Sequence, residues 1–535
     1  MPSTIPELLR AAASRAPDKV WLRGDSGTNT PGSSAAAGDP LTFAQALARV
    51  AGTAERLADA GVRKADLVLL TMRTTPAHLL VWLAVTSMGA IAVTTDPEMA
   101  IPELEGMLAQ VRPRLVVTDG ELLPRLQAAG SARYCEQGVR LVENLADAGE
   151  YPVSGGPDLA GQPVPGDVAT LIPTSGTTGR SKLVMQTHRA YAMAGEGFPH
   201  WMELSEQDCL MTSLPLFHIN ATAYSTMGSL ACGAGLVLLQ RFSASAFLDC
   251  ARRYAATEFN AIGAMLEILM RQPPRSDDAD TALRLVYTGP APTRERHEEM
   301  EARFGLRIVC GYAMSESPYG LIWPRGQRPF GTLGALRQHP SLGVVNSCRV
   351  VGDDGRDVEP GEVGELLLHN PAVTPGYWQM PLETAAALVD GWLHTGDLVT
   401  EAADGCFTFV ARTKEVLRRR GENLSPAEVE DAILAHPDVV ECAVVGVASD
   451  LSEEEVKAFV VAAPGRTPDF GALHEFAGAR LSAFKVPRFW QAVDALPRTP
   501  TSRVAKHRLP TGHPPGEWDA VTEVIAQATD EQDPQ

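Results

Sequence analysis

Residues 174–182 read Thr-Ser-Gly-Thr-Thr-Gly-Arg-Ser-Lys and directly follow the apolar run 168–172. Because Gly176 and Gly179 have no Cβ, the backbone there can turn sharply and bring its N–H groups close to an anion. Lys182 adds a positive charge at the end of the loop. The hydroxyl donors of the loop are Thr174, Ser175, Thr177 and Thr178. The stretch predicts a buried strand followed by a loop that binds polyphosphate.

This loop differs from the Walker A loop of other nucleotide-binding proteins. The Walker A pattern requires a glycine directly before its lysine, whereas Ser181 precedes Lys182 here. The spacing therefore favours a phosphate-binding loop of a different class.

Length and charge limit what the chain can do. With 535 residues it is too long for a single hydrophobic core, so we expect two or more domains. The net charge of −19 argues against a partner that is nucleic acid or an anionic membrane surface. An acidic chain that binds polyphosphate must therefore concentrate its basic groups locally.

The cysteines and the apolar stretches indicate a cytoplasmic protein. The 8 cysteines are scattered and form no Cys-x-x-Cys pair, so we expect reduced thiols. Residues 1–19 lack the basic start and apolar core of a signal peptide. The longest apolar stretch, 79–93, is interrupted by polar residues and a glycine. It predicts a buried helix followed by a buried strand, and no membrane span.

Helix and strand signals alternate along the N-terminal part of the chain. Thr42 and Gln45 have the spacing of a capping box. Five apolar residues then share one helical face: Phe43, Leu47, Val50, Ala54 and Leu57. Short apolar runs fit buried strands at 67–72, 115–117, 168–172, 261–262, 285–287 and 308–310. This alternation predicts an α/β fold with largely parallel sheets.

The character of the sequence changes after residue 410. A basic cluster is followed by two amphipathic helical patterns and by apolar strand patterns at 439–447 and 458–461. We expect a large N-terminal domain of stacked α/β subdomains over 1–411 and a small α+β lid domain over 412–512. Residues 513–535, rich in Pro, Asp, Glu and Gln, predict a disordered tail.

Further motifs follow the 174–182 loop in a fixed order. They are Gly-Tyr-Ala-Met-Ser-Glu-Ser at 311–317, Gly-Tyr-Trp at 376–378, Trp-Leu-His-Thr-Gly-Asp-Leu at 392–398, Arg-Thr-Lys-Glu at 412–415 and Gly-Glu-Asn-Leu-Ser-Pro-Ala-Glu-Val-Glu at 421–430. Together they resemble the adenylate-forming superfamily of acyl-CoA synthetases, peptide-synthetase adenylation domains and luciferases. Over nearly its whole length, the sequence resembles the crotonobetaine/carnitine-CoA ligases of that superfamily.

The resemblance implies a role for each matching residue. Adenylation joins a carboxylate to the α-phosphate of ATP, so the site must neutralise the charge of two anions. The resemblance assigns Mg²⁺ to Glu316, the ribose hydroxyls to Asp397 and the ribose region to Arg412, and it places Tyr312 near the adenine. The other ATP or AMP contacts that it implies are Thr174, Ser175, Gly176, Thr177, Thr178, Gly179, Lys182, Gly289 and Ser315.

The C-terminal part matches the family at the hinge and departs from it at one pair of residues near the end of the chain. Lys414 stands at the hinge about which the small domain of such enzymes swings between two poses. The family supplies a catalytic lysine from a Gly-Lys pair near the end of the chain, where Ser502 and Arg503 stand here. Either Arg503 supplies the positive charge, or Lys506 reaches in from three residues on, or the first step is weakened.

The substrate is only partly constrained. His218, in the segment Pro-Leu-Phe-His at 215–218, resembles a residue that gates the acyl pocket of acyl-CoA synthetases. The expected substrate is a small acyl or aryl acid, and the expected acceptor is CoA, a separate carrier protein or a small nucleophile. One alternative keeps the fold but activates nitrite for attack by an aryl amine, as a diazotase-type enzyme does. An alternative of another class is a non-catalytic nucleotide-binding relative.

Overall fold

A computed structural model describes residues 3–27, 39–141, 162–174, 182–289, 292–413, 417–419, 422–448, 454–481, 485–498, 504–510, 512–514 and 516–520. The strands are β1 (Val20–Asp25), β2 (Leu41–Thr42), β3 (Leu67–Thr71), β4 (Ile91–Thr95), β5 (Leu115–Thr118), β6 (Val139–Leu141), β7 (Val168–Thr174), β8 (Lys182–Thr187), β9 (Cys209–Thr212), β10 (Gly235–Leu239), β11 (Glu258–Asn260), β12 (Leu285–Thr288), β13 (Arg307–Met314), β14 (Ser317–Ile322), β15 (Ala335–Leu336), β16 (Ser347–Val351), β17 (Val363–His369), β18 (Leu388–Val389), β19 (Trp392–Glu401), β20 (Phe407–Arg412), β21 (Leu417–Arg419), β22 (Glu422–Leu424), β23 (Val439–Ala448), β24 (Glu454–Ala462), β25 (Phe489–Ala492) and β26 (Trp518–Asp519).

The α-helices alternate with these strands. They are α1 (Ile5–Arg15), α2 (Phe43–Asp59), α3 (Pro76–Ser87), α4 (Ile101–Val111), α5 (Leu123–Ala128), α6 (Ser131–Tyr134), α7 (His188–Met202), α8 (Met227–Cys232), α9 (Ala244–Tyr254), α10 (Gly263–Met270), α11 (Arg294–Phe304), α12 (Pro381–Ala387), α13 (Pro426–Leu434) and α14 (Phe470–Gly478). A π-helix spans Asn220–Thr226, and short 3₁₀ helices span Gly120–Leu122 and Lys506–Arg508.

Two mostly parallel sheets form the cores of the N-terminal part. The larger has nine strands in the order β15-β14-β13-β12-β11-β9-β10-β1-β2, and the smaller has six in the order β6-β5-β3-β4-β7-β8. Their central strands are buried and, apart from β11, largely apolar, as is typical of parallel sheets. The last strand of the smaller sheet, β8, returns antiparallel to β7. The predicted α/β class with largely parallel sheets is confirmed.

Smaller sheets follow, and β24 pairs parallel with β25 in the last of them. Strands β16 to β20 form a five-stranded sheet, and β21 pairs with β22. Near the end of the chain, β23, β24, β25 and β26 form a four-stranded sheet in that order. The buried ammonium of Lys457 on β24 donates a hydrogen bond to the Gly512 carbonyl at 2.9 Å and pairs with Glu517.

Contacts divide the chain into two compact units. The first comprises Met1–Arg349, Leu367–His394 and Glu401–Thr408, and the second comprises Val350–Leu366, Thr395–Thr400 and Phe409–Gln535. The division predicted at residue 412 therefore differs from the structural one, because two earlier segments also belong to the second unit. The disordered tail predicted over 513–535 also differs from the structure, because Trp518–Asp519 within it forms β26 and pairs with β25.

Several local predictions can be compared directly. The capping box is confirmed, because the Thr42 hydroxyl accepts from the Gln45 backbone N–H at the start of α2. The run 79–93 forms the end of α3 and the start of β4, and no helix among the described residues could cross a membrane. The predicted strand at 261–262 is wrong. The strand is β11, Glu258–Asn260, and Ile262 caps α10 in an extended conformation.

Candidate active site

The strands that flank the predicted phosphate loop form a hairpin. Thr174 ends β7 and pairs in register with Lys182, which begins β8. The Thr174 hydroxyl donates a hydrogen bond to the Lys182 carbonyl at 3.4 Å. The hairpin therefore places the two ends of the loop side by side. The predicted ATP-binding residues within the loop lie outside the described residues. These are Ser175, Gly176, Thr177, Thr178 and Gly179.

Ser315 and Glu316 form the tight connection between β13 and β14. The Ser315 carbonyl accepts a hydrogen bond from the side-chain amide of Gln186 on β8 at 2.5 Å. The Glu316 carbonyl accepts from the backbone N–H of Thr374 at 2.7 Å. The Glu316 side chain is 8% exposed, and its Oε1 accepts from the Tyr377 hydroxyl at 2.9 Å. These bonds fix Glu316 close to the strand that begins at Lys182.

Lys182 and Glu316 contact the same tyrosine. The ammonium nitrogen of Lys182 lies 4.7 Å from the centroid of the Tyr377 ring. Burial, followed by the charge of Glu316, raises the pKa of Tyr377, so the hydroxyl stays protonated and donates. The motif at 376–378 marked this segment in the sequence, but no role was predicted for Tyr377. Its contacts depend on strand pairing between distant segments, which the motif does not reveal.

Gly289 and Tyr312 lie at neighbouring strand ends in the first unit. Gly289 follows β12, and a Cβ at this position would lie 2.5 Å from the Gly311 carbonyl oxygen. Only glycine permits this close approach of two backbones. Tyr312 follows Gly311 on β13, is half-buried and directs its hydroxyl to the sulfur of Met314 at 3.7 Å.

His218 lies at the entrance to the π-helix Asn220–Thr226. Its ring packs against Phe217 with 4.4 Å between centroids, and its carbonyl accepts a hydrogen bond from Thr222 at 3.3 Å. Such π-helical turns recur at functional sites. The predicted gating role of His218 stays a prediction.

Asp397 and Arg412 come together in the second unit. Asp397 lies on β19 with no exposed surface, and its Oδ1 is 3.0 Å from Nε of Arg412 at the end of β20. The Asp397 backbone N–H donates to the Thr395 hydroxyl at 3.1 Å. The predicted hinge residue Lys414 lies outside the described residues.

The two candidates for the C-terminal cation differ in what the structure describes. Lys506 begins a 3₁₀ helix in the second unit, and its ammonium lies 2.7 Å from Oε1 of Glu430 on α13. Arg503 lies outside the described residues.

The donor set around Glu316 fits a magnesium ion that the nucleotide helps to hold. Within the described ranges, no group of three His, Cys, Asp or Glu side chains could hold a metal ion. Magnesium usually takes one or two protein carboxylates and fills its remaining positions with water and phosphate oxygens. The one buried carboxylate of Glu316, close to the strand that begins at Lys182, meets this requirement.

Comparisons with known proteins point to one class. Residues 9–378 match the family model of the AMP-binding enzymes, and residues 428–503 match the C-terminal domain of AMP-binding enzymes. The chain is 32% identical over 486 residues to the crotonobetaine/carnitine–CoA ligase of Salmonella arizonae, covering 88% of this chain and 93% of the relative. The corresponding ligase of Salmonella agona is 30% identical over 490 residues, with the same two coverages.

Solved structures agree with this class. ATP-bound MatB from Rhodopseudomonas palustris is 26% identical, with a TM-score of 0.83 over 94% of this chain and 98% of that one. A benzoate CoA ligase from Burkholderia xenovorans LB400 is 24% identical, with a TM-score of 0.82 over 94% of this chain and 99% of that one, and supports the fold.

The fold and these relatives define an ATP-dependent, adenylate-forming ligase. The chain belongs to the AMP-binding enzyme family. The resemblance predicted from the motifs is therefore confirmed, as is the prediction that the protein is an enzyme that uses ATP. Nothing in the comparisons supports the diazotase or the non-catalytic alternative.

Proposed function

We propose that this ligase activates a small acyl or aryl carboxylic acid as its adenylate and then transfers the acyl group to CoA. In the first step a carboxylate oxygen bonds to the α-phosphorus of ATP, and pyrophosphate leaves. In the second step the thiol sulfur bonds to the acyl carbon, and AMP leaves. The observation that carries the proposal is that Tyr377 joins Glu316 to Lys182, the residue that begins β8.

Each charged residue has a task in the first step. Lys182 places a positive charge beside the phosphates, and Glu316 holds the cation. Magnesium, when bound, neutralises phosphate charge as it develops in the transition state. The buried carboxylate of Asp397 accepts the ribose hydroxyls, and Arg412 orients it from 3.0 Å.

The remaining assignments complete the proposal. The backbone at Gly289 and the ring of Tyr312 line the base, His218 contributes to the acyl pocket, and Lys414 is the hinge. CoA is the preferred acceptor because the two crotonobetaine/carnitine–CoA ligases described above are named for it. A carrier protein remains a second thiol acceptor. All 8 cysteines are free, which suits a cytoplasmic location.

Pyrophosphate exchange tests the first step. A panel of acyl and aryl acids, crotonobetaine and carnitine among them, is incubated with ATP, Mg²⁺ and labelled pyrophosphate. We expect exchange that depends on one class of acid, and formation of the matching thioester when CoA is added. Exchange with nitrite alone, followed by a diazo product from an aryl amine, would overturn the proposal. An absence of exchange with every acid would also contradict it.

A further inference from the structure

The segment that carries Tyr377 adds to the sheet beside β8. The Met185 N–H donates to the Gly376 carbonyl at 3.0 Å, and the Trp378 N–H donates to the Leu183 carbonyl at 2.8 Å. Tyr377 therefore stands opposite Val184 in an antiparallel bridge. Lys182 is two residues before Val184 on the same strand face, so its side chain is the diagonal neighbour of the Tyr377 ring. Strand register thus places the ring against the ammonium.

Tyr377 is held from its other side by α12. Its backbone N–H donates to the Thr384 hydroxyl at 2.9 Å. The preceding Gly376 has φ +134°, and a Cβ there would overlap the Thr384 side chain. Tyr377 itself is 7% exposed and packs with Ile172 of β7. The backbone of Tyr377 is fixed on both sides, so its hydroxyl has a defined direction.

We propose that Tyr377 is a positioning residue that presents Glu316 and Lys182 together to the phosphates and magnesium of the nucleotide. The hydroxyl orients the Glu316 carboxylate, and the ring face holds the Lys182 ammonium. This inference rests on the proposed function, because it assigns those two residues to magnesium and phosphate. It adds a residue whose part is to fix both before the nucleotide binds.

The Tyr377→Phe variant separates the two contacts, because phenylalanine keeps the ring and removes the hydroxyl. Its matched control is Tyr254→Phe, which removes a hydroxyl that donates to the Asp25 carboxylate at 2.7 Å. Manganese replaces magnesium, and α,β-methylene-ATP replaces ATP. The affinity of the enzyme–nucleotide complex for Mn²⁺ is read from the EPR signal of the free ion, and the affinity for nucleotide is measured separately in EDTA.

We expect Tyr377→Phe to weaken Mn²⁺ binding about 10- to 100-fold, the size of one lost hydrogen bond to a charged group. Nucleotide affinity in EDTA should stay within about twofold of wild type, because the ring still faces Lys182. Tyr254→Phe should leave both affinities unchanged. In the Glu316→Gln background the same Tyr377 change should add little, since the carboxylate that it orients is gone.

Three outcomes would overturn the proposal. They are unchanged Mn²⁺ affinity in Tyr377→Phe, an equal loss in Tyr254→Phe, and a wild-type enzyme that holds no Mn²⁺ with the nucleotide analogue. These measurements need neither an acid nor an acceptor. A failure of the proposed acid ligation would therefore appear only in the exchange experiment, and the two proposals fail separately.

Discussion

The ammonium of Lys506 and the carboxylate of Glu430 form an ion pair within the second unit, 2.7 Å apart, with side chains that are 21% and 17% exposed. Glu430 also accepts a hydrogen bond from the Val444 N–H at 2.6 Å, which fixes the carboxylate against β23. The neighbouring Ala505 is buried, and its N–H donates to the Pro497 carbonyl at 2.7 Å. The Lys506 ammonium is therefore paired within its own unit.

This ion pair predicts which of the two basic residues acts in catalysis. Arg503→Ala should slow adenylate formation on the order of 10²–10³-fold and spare the reaction of pre-formed adenylate with CoA, because it removes one charge directed at a developing oxyanion. Lys506→Ala should instead lower the melting temperature and slow adenylate formation less. Rapid-quench assays of each half-reaction measure both variants. Wild-type adenylation in Arg503→Ala would show that the residue supplies no catalytic charge.

Asp397→Ala should weaken ATP binding. Two hydrogen bonds from ribose hydroxyls to a charged acceptor are lost, at about 1.5–3 kcal/mol each, so the Kd should rise about 100-fold or more. Isothermal titration with ATP measures this change. Asp354→Ala is the control, because Asp354 is 63% exposed and lies 3.8 Å from Arg356. Equal affinity in the two variants would remove the ribose role from Asp397.

Glu316→Gln should lower turnover about 10- to 100-fold while leaving nucleotide binding in EDTA largely intact. The amide keeps the shape of the side chain but loses the charge that holds the cation. High Mg²⁺ should restore part of the activity, and a magnesium titration of the exchange rate measures it. Glu299→Gln, which removes an exposed carboxylate on α11, is the control. A Glu316→Gln curve that overlays wild type would mean that another residue holds the metal.

His78 should make the protein sensitive to acid. The ring is fully buried in α3, its Nδ1 lies 3.2 Å from the Arg73 carbonyl, and burial lowers its pKa to about 4. A folded pKa below the unfolded value means that stability is lost as pH falls from 6.5 towards 4, by about 3 kcal/mol in total. The melting temperature of His78→Gln should therefore fall less than that of wild type between pH 7.5 and pH 5, roughly the window of this titration. Parallel losses in both proteins would contradict this.

Glu258 should have the opposite dependence on pH. It is fully buried on β11, and neither carboxylate oxygen has a hydrogen-bond partner among the described residues. Burial, followed by the charge of Asp208, raises its pKa well above 4.5, so stability falls as pH rises from 4.5 to the folded pKa. Glu258→Gln should stabilise the protein at pH 8 by about 1–3 kcal/mol and have less effect near pH 5. Denaturant midpoints of both proteins at pH 8 and pH 5 measure this difference. An equal gain in stability at the two pH values would contradict the titration of Glu258.

The sequence could predict elements whose pattern is local. The apolar run before the phosphate loop predicted β7, and Thr42 with Gln45 predicted the start of α2. Strand β11 was placed three residues late because its first residue is a glutamate. A buried carboxylate interrupts the apolar pattern on which strand prediction depends.

The sequence motifs gave candidate site residues but not the contacts between them. Motifs gave Lys182, Glu316 and Asp397 because each lies in a short recognisable stretch. The link through Tyr377 depends on the pairing of residue 377 with residue 184, and no local pattern encodes that register. The ion pair of Lys506 with Glu430 was missed for the same reason.

The short strand β26 determines where this chain can be shortened. A recombinant chain that stops at residue 512 would keep the Gly512 carbonyl but remove Glu517, and would leave the buried ammonium of Lys457 without its counter-charge. Loss of one partner of a buried pair typically costs about 3–5 kcal/mol. It would also remove Asp519, whose carboxylate receives two hydrogen bonds from Arg488 at 2.9 and 3.0 Å. Affinity tags and crystallisation truncations therefore belong after residue 520, where trimming spares the strand.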